Sequence, residues 1–424
     1  MPAHAQNTDF SQIGHPGTVS AIADDIRASG PITFARFMEL ALYHPQSGYY
    51  TRATDSNGHA QAAVDSDAEH LIGWSGDYYT TPDVHPIFSQ ALARQLNQID
   101  TVVGQRDPFT IVEMGPGKGL LARDLLKACE RQFPNLFARL RYVLIERSPA
   151  MRDAQRRHLA PWIASGRVSW QDDLRALPAG SVTGVCLSNE LVDAFPVHRI
   201  TIVEGQPKEL YIDWRDGRFV EQTGELSSPE LAHYLNRLTT LGITLPDGYV
   251  TEINLNAVAW MKGVARVLSR GVAITIDYGH TAQDLYGPDR ARGTLLCYTK
   301  HRASDNPYVR VGQQDITAHV DFTALAAAGE EAGLHVTGFT NQMSFLMGLG
   351  AEELFASIEP DSPELHGAIR LLRPDGMGRT FKILIQHKGM AEPALDGLKF
   401  KPFLESALAD ASRFTPYASR GRNG

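Results

Sequence analysis

A run of three glycines and an acid, Glu113-Met114-Gly115-Pro116-Gly117-Lys118-Gly119, follows the apolar stretch Phe109–Val112 and leads into an amphipathic pattern, LLARDLLKAC. Glycines let a backbone come close to a ligand and accept positive φ. A helix starting just after them directs unbonded N–H groups toward that ligand. A dinucleotide fold would carry G-x-G-x-x-G around a pyrophosphate. Here the spacing is G-x-G-x-G, with a carboxylate two positions before the first glycine. A carboxylate there suits a cationic ligand better than a pyrophosphate. S-adenosylmethionine has a sulfonium, an ammonium and no phosphate, so Glu113, Gly115, Gly117 and Gly119 are read as its binding turn.

In an open α/β sheet, ligands sit beyond the carboxyl ends of the strands. The next strand pattern, RYVLIE, ends in Glu146, which can accept both ribose hydroxyls of an adenosine. The third ends in Gln171-Asp172-Asp173, and Asp172 is placed against the adenine amino group. The fourth, VTGVCLSNE, ends in Asn189-Glu190, with Asp193 close behind. Acids and an amide just past a buried strand are costly without partners. Asn189, Glu190 and Asp193 are therefore the candidate catalytic residues, with Asn189 also touching the cofactor. His44, His85, His198, His280 and His301 show no metal-ligand spacing, and no metal is expected. His280 stands out among them because it follows the fifth strand. GxSxG, GxxxxGK[ST] and HExxH are absent from the sequence, which argues against a hydrolase elbow, a P-loop and a zincin.

The elements that must position these groups follow from periodicity. Helical spacing marks Ser20–Ala28 and Phe34–Tyr43, and a helix should begin near Pro86. The polar stretch 54–67 reads as a loop. From Phe109 the order is βαβαβ, with Ser148 as N-cap and Pro149 at the first position of the second helix. Residues 197–223 alternate around Glu204-Gly205 and Asp216-Gly217, predicting hairpins. A helix from Pro229 to Leu238 follows. Then AWMKGVARVLSRG is expected as a helix closing on Gly271, and GVAITIDYG as the fifth buried strand. Asp321 should cap the helix FTALAAAGEEAGL, HVTGFT should form a strand, QMSFLMGLGAEELFASI and SPELHGAIRLL should each form a helix, and RTFKILIQHK should form the last strand.

The chain has 424 residues, 43% hydrophobic and 21% charged, with formal charge −8. That balance exerts no general pull on nucleic acid, and no nucleic-acid partner is expected. No apolar run approaches the ~20 residues of a membrane span, so no membrane insertion is expected. Cys129, Cys186 and Cys297 lie far apart and read as thiols of a reducing compartment. The first residues lack an apolar signal core and the arginine-rich character of a transit peptide, so the expected location is the cytoplasm, with the mitochondrial matrix kept for a eukaryotic source.

Several of these stretches together, GDYYTTPDVHPIF, IVEMGPGKGLLARDLL, SNELVDAFPVHR, IDYGH and GTLLCYTKHRASDNPYVRVGQQDITAHVDFTAL, resemble the MidA-like family of class I S-adenosylmethionine-dependent methyltransferases. The resemblance runs from about Ile32 to His387. It implies an α/β, Rossmann-like class I methyltransferase fold: a seven-stranded, mostly parallel sheet, with an N-terminal helical region and a β-rich insertion. The implied division is a disordered arm at 1–17, a helical lid region at 18–105, the cofactor domain at 106–194 and 251–388, a substrate insertion at 195–250 and a tail at 389–424. The implied cofactor is S-adenosylmethionine, leaving as S-adenosylhomocysteine, with Thr80, Thr81 and Pro82 folding over it. The family includes the mitochondrial arginine methyltransferase needed for assembly of respiratory complex I. A protein arginine, possibly on a complex I subunit, is accordingly the expected acceptor. Glu190 and Glu252 together would replace the double-glutamate loop usual in arginine methyltransferases. The competing readings are a methyltransferase for another side chain or small molecule, a non-catalytic S-adenosylmethionine-binding assembly factor, and an NAD(P)-dependent dehydrogenase.

Overall fold

The computed structural model describes residues 13–51, 85–299, 302–356, 358–360, 362–402 and 406–408. Its contacts divide the chain into two compact units: Met1–Tyr79, Ala194–Asn256 and Tyr286–Ala318 in one, and Thr80–Asp193, Ala257–Leu285 and His319–Gly424 in the other.

The second unit carries the sheet. Its strands are β1 (Phe109–Met114), β2 (Leu140–Ile145), β3 (Val168–Gln171), β4 (Val182–Asn189), β5 (Leu268–His280), β6 (Val320–Asp321), β7 (His335–Asn341) and β8 (Phe381–Lys388). Seven of them form a continuous path in the order β3-β2-β1-β4-β5-β8-β7, and two-residue β6 pairs with the end of β5. The pairs among β1 to β5 are parallel, whereas β8 runs antiparallel to both neighbours. This is the expected Rossmann-like sheet. Apolar residues fill β1, β4 and β5, as strands covered on both faces require. The helices are α1 (Ile87–Val103), α2 (Leu120–Gln132), α3 (Pro149–Ala164), α4 (Leu255–Val267) and α5 (Phe322–Glu331). Ser148 Oγ accepts from Met151 N at the start of α3, with Pro149 in the first turn. Asp321 caps α5 through Ala324 N at 2.9 Å.

Strand register determines what meets at the sheet's carboxyl edge. Met114 lies beside Ile145 and Ser188, and Asn189 beside Ile276. The residues following β1, β2 and β4, and the last turn of β5, are therefore level with one another.

In the first unit, the strands His198–Val203, Gln206–Arg215 and Arg218–Gly224 form the expected antiparallel meander. Both residues of each turn, Glu204-Gly205 and Asp216-Gly217, take the left-handed conformation that two-residue hairpins favour. Val250–Ile253 pairs with the free side of His198–Val203, and Ile32–Thr33 pairs with Ile212 and Tyr211 of the middle strand. An aromatic cluster underlies it: Phe37 and Trp214 meet Phe219 at centroid distances of 5.3 and 4.6 Å. Such pairs add about 0.5–1.5 kcal/mol each beyond the area they bury.

Several expectations need correction. The helix expected to close on Gly271 ends at Val267, because Leu268 already pairs with Val182 and Gly271 with Gly184 and Lys388. Sheet pairing overrides the helical spacing there. The first helix is longer than read, Pro16–Ser29, and the stretch after β7 forms two short helices, Gln342–Gly348 and Ala351–Phe355. The loop expected at 54–67 lies outside the described residues.

Candidate active site

The glycine turn bridges β1 and α2. Gly115, Gly117 and Gly119 have φ of 67°, 50° and 81°, in the left-handed region. A Cβ on Gly115 would stand 2.7 Å from Leu191 Cδ1, and one on Gly119 would stand 3.1 Å from Gln155 Cγ. The turn is thus closed on one side by the segment after β4 and on the other by α3.

Glu113 is buried at the end of β1, and Tyr142 Oη donates to its Oε2 at 2.8 Å. Glu113 pairs across the ladder with Leu144, so Tyr142 sits diagonally on the same face. Burial pushes the carboxyl up to about 7, with the tyrosine hydrogen bond pulling the other way.

Glu146 follows β2. Its Oε1 accepts from Ser148 N at 2.8 Å and its Oε2 from Gln155 Nε2 at 3.3 Å. Desolvation raises its pKa, opposed chiefly by the Ser148 and Gln155 hydrogen bonds. Gln155 Nε2 also donates to Gly117 O at 2.6 Å, and Trp170 Nε1 donates to Gln155 Oε1 at 2.7 Å. This fully buried glutamine therefore joins the glycine turn, the acid after β2 and the end of β3. Asp172 is exposed and paired with Arg152, whose Nε donates to Glu146 O at 2.9 Å. Asp173 caps a short 3-10 turn through Arg175 N, and its pairing with Arg175 holds its carboxyl far below the usual range.

The segment after β4 is the third part. Asn189 is 8% exposed, and its Nδ2 donates to Glu190 Oε1 at 3.0 Å. Among the described residues nothing donates to Asn189 Oδ1, which is buried. Glu190 has φ of 52°, a conformation a glutamate adopts only under restraint. Asp193 is buried, and Tyr278 Oη donates to it. Asp277, at the end of β5, accepts from the N–H groups of Leu191, Val192 and Asp193.

The strand ends thus bring together Gly115–Gly119, Glu113, Glu146 and Asp172 on one side and Asn189, Glu190 and Asp193 on the other, joined where Leu191 packs on Gly115. Thr80, Thr81 and Pro82 lie outside the described residues. Glu252 belongs to the first unit. Its Oε2 accepts from Thr294 N at 2.8 Å, and Arg199 Nε lies 3.9 Å from its Oε1. His280 Nε2 lies 3.2 Å from His319 Nδ1. Among the described residues no three His, Cys, Asp or Glu side chains converge as a metal site. Gln155, Arg152 and Asp277 went unread in the sequence. No motif marks them; the one available hint was Asp277 within IDYGH.

A family model of S-adenosyl-L-methionine-dependent methyltransferases matches residues 91–340. The chain belongs to that family. It is 32% identical to a COG1565 superfamily member from Burkholderia thailandensis whose structure holds S-adenosyl-homocysteine, with a TM-score of 0.78, covering 90% of this chain and 94% of the other. The mitochondrial protein arginine methyltransferase NDUFAF7 homolog of Drosophila melanogaster is 27% identical over 91% of this chain and 88% of its own. Human mitochondrial protein arginine methyltransferase NDUFAF7 is 26% identical over 86% and 82%. This methyltransferase uses S-adenosylmethionine, so the dehydrogenase reading and the non-catalytic reading are set aside. The cytoplasmic expectation is also corrected: these curated relatives are named as mitochondrial, and an expectation built on the lack of a leader-like composition does not stand against them. Among the described residues no helix is long and apolar enough to cross a membrane.

Proposed function

We propose that the chain is a protein arginine N-methyltransferase whose acceptor site is the Asn189–Asp193 turn, and that its acceptor is a subunit of respiratory complex I, as the family resemblance implies. The observation that carries this reading is the buried Asn189 Oδ1 with no donor of its own, beside a carboxylate on a strained turn. A buried acceptor of this kind is costly until an N–H meets it. The relatives named protein arginine methyltransferase support arginine as the source of that N–H.

Gly115, Gly117, Gly119 and Glu113 would hold the amino-acid part of the cofactor, Glu146 the ribose and Asp172 the adenine. The glycines take the left-handed turn that lets a backbone approach a ligand closely, and Glu113 and Glu146 supply carboxylates for a ligand with cationic groups and ribose hydroxyls. The residues present therefore fit S-adenosylmethionine. The insertion at 195–250 would recognise the acceptor protein. When bound, the cofactor supplies an electrophilic methyl on sulfonium sulfur. Asn189 Oδ1 accepts one guanidinium N–H and orients the attacking nitrogen. Glu190 holds the guanidinium, whose pKa lies above ~12, and takes the proton lost as the N–C bond forms and the S–C bond breaks. Alignment and desolvation by these fixed groups supply the rate.

The test is transfer from methyl-labelled S-adenosylmethionine to isolated complex I subunits, followed by acid hydrolysis. Label recovered as methylarginine supports the reading. Label in another amino acid, or none in protein, overturns it.

A further inference from the structure

We infer that Asp277 is a positioning residue for methyl transfer: its carboxylate holds the Asn189–Asp193 turn so that Asn189 Oδ1 and the Glu190 carboxylate face the acceptor. This rests on the reading of that turn as the acceptor site.

Asp277 is fully buried on β5. Its Oδ2 receives three successive backbone N–H groups, from Leu191 at 3.2 Å, Val192 at 2.9 Å and Asp193 at 3.4 Å. Its Oδ1 receives Tyr278 N at 2.9 Å. Successive N–H groups converging on one point form an anion nest, and here the anion is built into the chain. Glu190 N donates to Ile276 O at 2.9 Å, one residue before Asp277, so β5 grips the turn at four consecutive amides. A glutamate with φ of 52° needs such restraint, because the left-handed region is unfavourable for it.

The acid is costly where it stands. Burial pushes its pKa up, the neighbouring Asp193 and Glu190 charges add to that, and the hydrogen bonds from Val192 and Tyr278 oppose it. A carboxyl placed beside two other acids is poorly explained by charge pairing. It is well explained by the three amides it gathers. Leu191, the first of that group, is also the side chain against which Gly115 closes. One carboxylate thus sets the turn that separates the cofactor's glycines from the acceptor's polar groups.

The test is Asp277→Asn, which keeps shape and one acceptor oxygen but removes the charge. Misplacing reacting groups by ~1 Å can cost about 100-fold, so kcat should fall about 10- to 100-fold, while KM for the acceptor and Kd for S-adenosylhomocysteine stay within about threefold. Amide exchange in a peptide covering 190–193 should quicken, with β1 and β4 unchanged. A kcat within about twofold of wild type overturns the inference. So does a loss of S-adenosylhomocysteine affinity as large as the loss in kcat, which would make Asp277 a general support. If the variant does not fold, the wild-type exchange decides: the Leu191–Asp193 amides should exchange as slowly as β4, and open-loop rates overturn the inference. Rates are read on whichever side chain the wild type methylates. Failure to find methylarginine therefore removes the arginine reading without deciding this one.

Discussion

Replacing Glu113 by Gln removes a charge from a site where burial resists it. The glutamine can still accept from Tyr142 Oη, so the shape and the 2.8 Å hydrogen bond are kept. In the unfolded chain the carboxyl ionises near 4.5, and in the folded protein near 7. The folded state therefore holds this proton more tightly. The group's contribution to stability is fully present below pH 4.5 and is lost as pH rises through about 7. That rise in pKa corresponds to about 3 kcal/mol, at about 1.4 kcal/mol for each tenfold change. Urea unfolding of both proteins from pH 4.5 to 8.5 reads the difference directly. The variant should gain about 3 kcal/mol relative to wild type between pH 4.5 and 7, with a plateau above. Parallel stability curves across that window would refute the argument that the Glu113 carboxyl is desolvated. A cation brought near the carboxyl would reverse the burden. S-adenosylmethionine binding near pH 6.5 should then release a proton from wild type and none from the variant, seen as a buffer-dependent heat of binding.

Three further outcomes follow from the site. Gly115→Ala should destabilise the fold by about 2 kcal/mol, since its Cβ would need a left-handed backbone and would meet Leu191 Cδ1 at 2.7 Å; thermal unfolding measures it. Gln155→Leu leaves Trp170 Nε1, Glu146 Oε2 and Gly117 O without their shared partner, and should cost about 1–3 kcal/mol of stability, read by urea unfolding, together with a weaker calorimetric affinity for S-adenosylmethionine. Glu190→Gln should leave calorimetric cofactor affinity largely intact while slowing methyl transfer by about 100-fold, the usual scale for a lost proton acceptor.

The sheet was legible because β1, β4 and β5 are apolar runs bounded by turn residues, and because glycines follow β1 where the chain must turn tightly. The meander was legible from Glu204-Gly205 and Asp216-Gly217, a dipeptide signal local to the chain. What escaped the sequence is long-range. Gln155 is an unremarkable polar residue on α3 until the fold sets it beside Gly117, Glu146 and Trp170. Asp277 lies on β5, 84 or more positions beyond the amides it gathers, and its role depends on Ile276 pairing with Asn189. Glu113 drew attention for its spacing to Gly115, but its hydrogen bond to Tyr142 depends on the β1–β2 register. Residues 268–271 had helical spacing and became strand because β4 and β8 were there to pair with them.

On the proposed reading, one sheet edge holds two separable functions, cofactor binding at the glycine turn and transfer at the Asn189–Asp193 turn. Calorimetric titration with S-adenosylmethionine, run beside labelled-methyl transfer for wild type, Gly117→Val and Glu190→Gln, tests it directly. Gly117→Val should lose binding, because a branched residue cannot readily take φ of 50°, and Glu190→Gln should bind like wild type but transfer poorly. Equal losses of binding in both variants, or unimpaired transfer by Glu190→Gln, would contradict it.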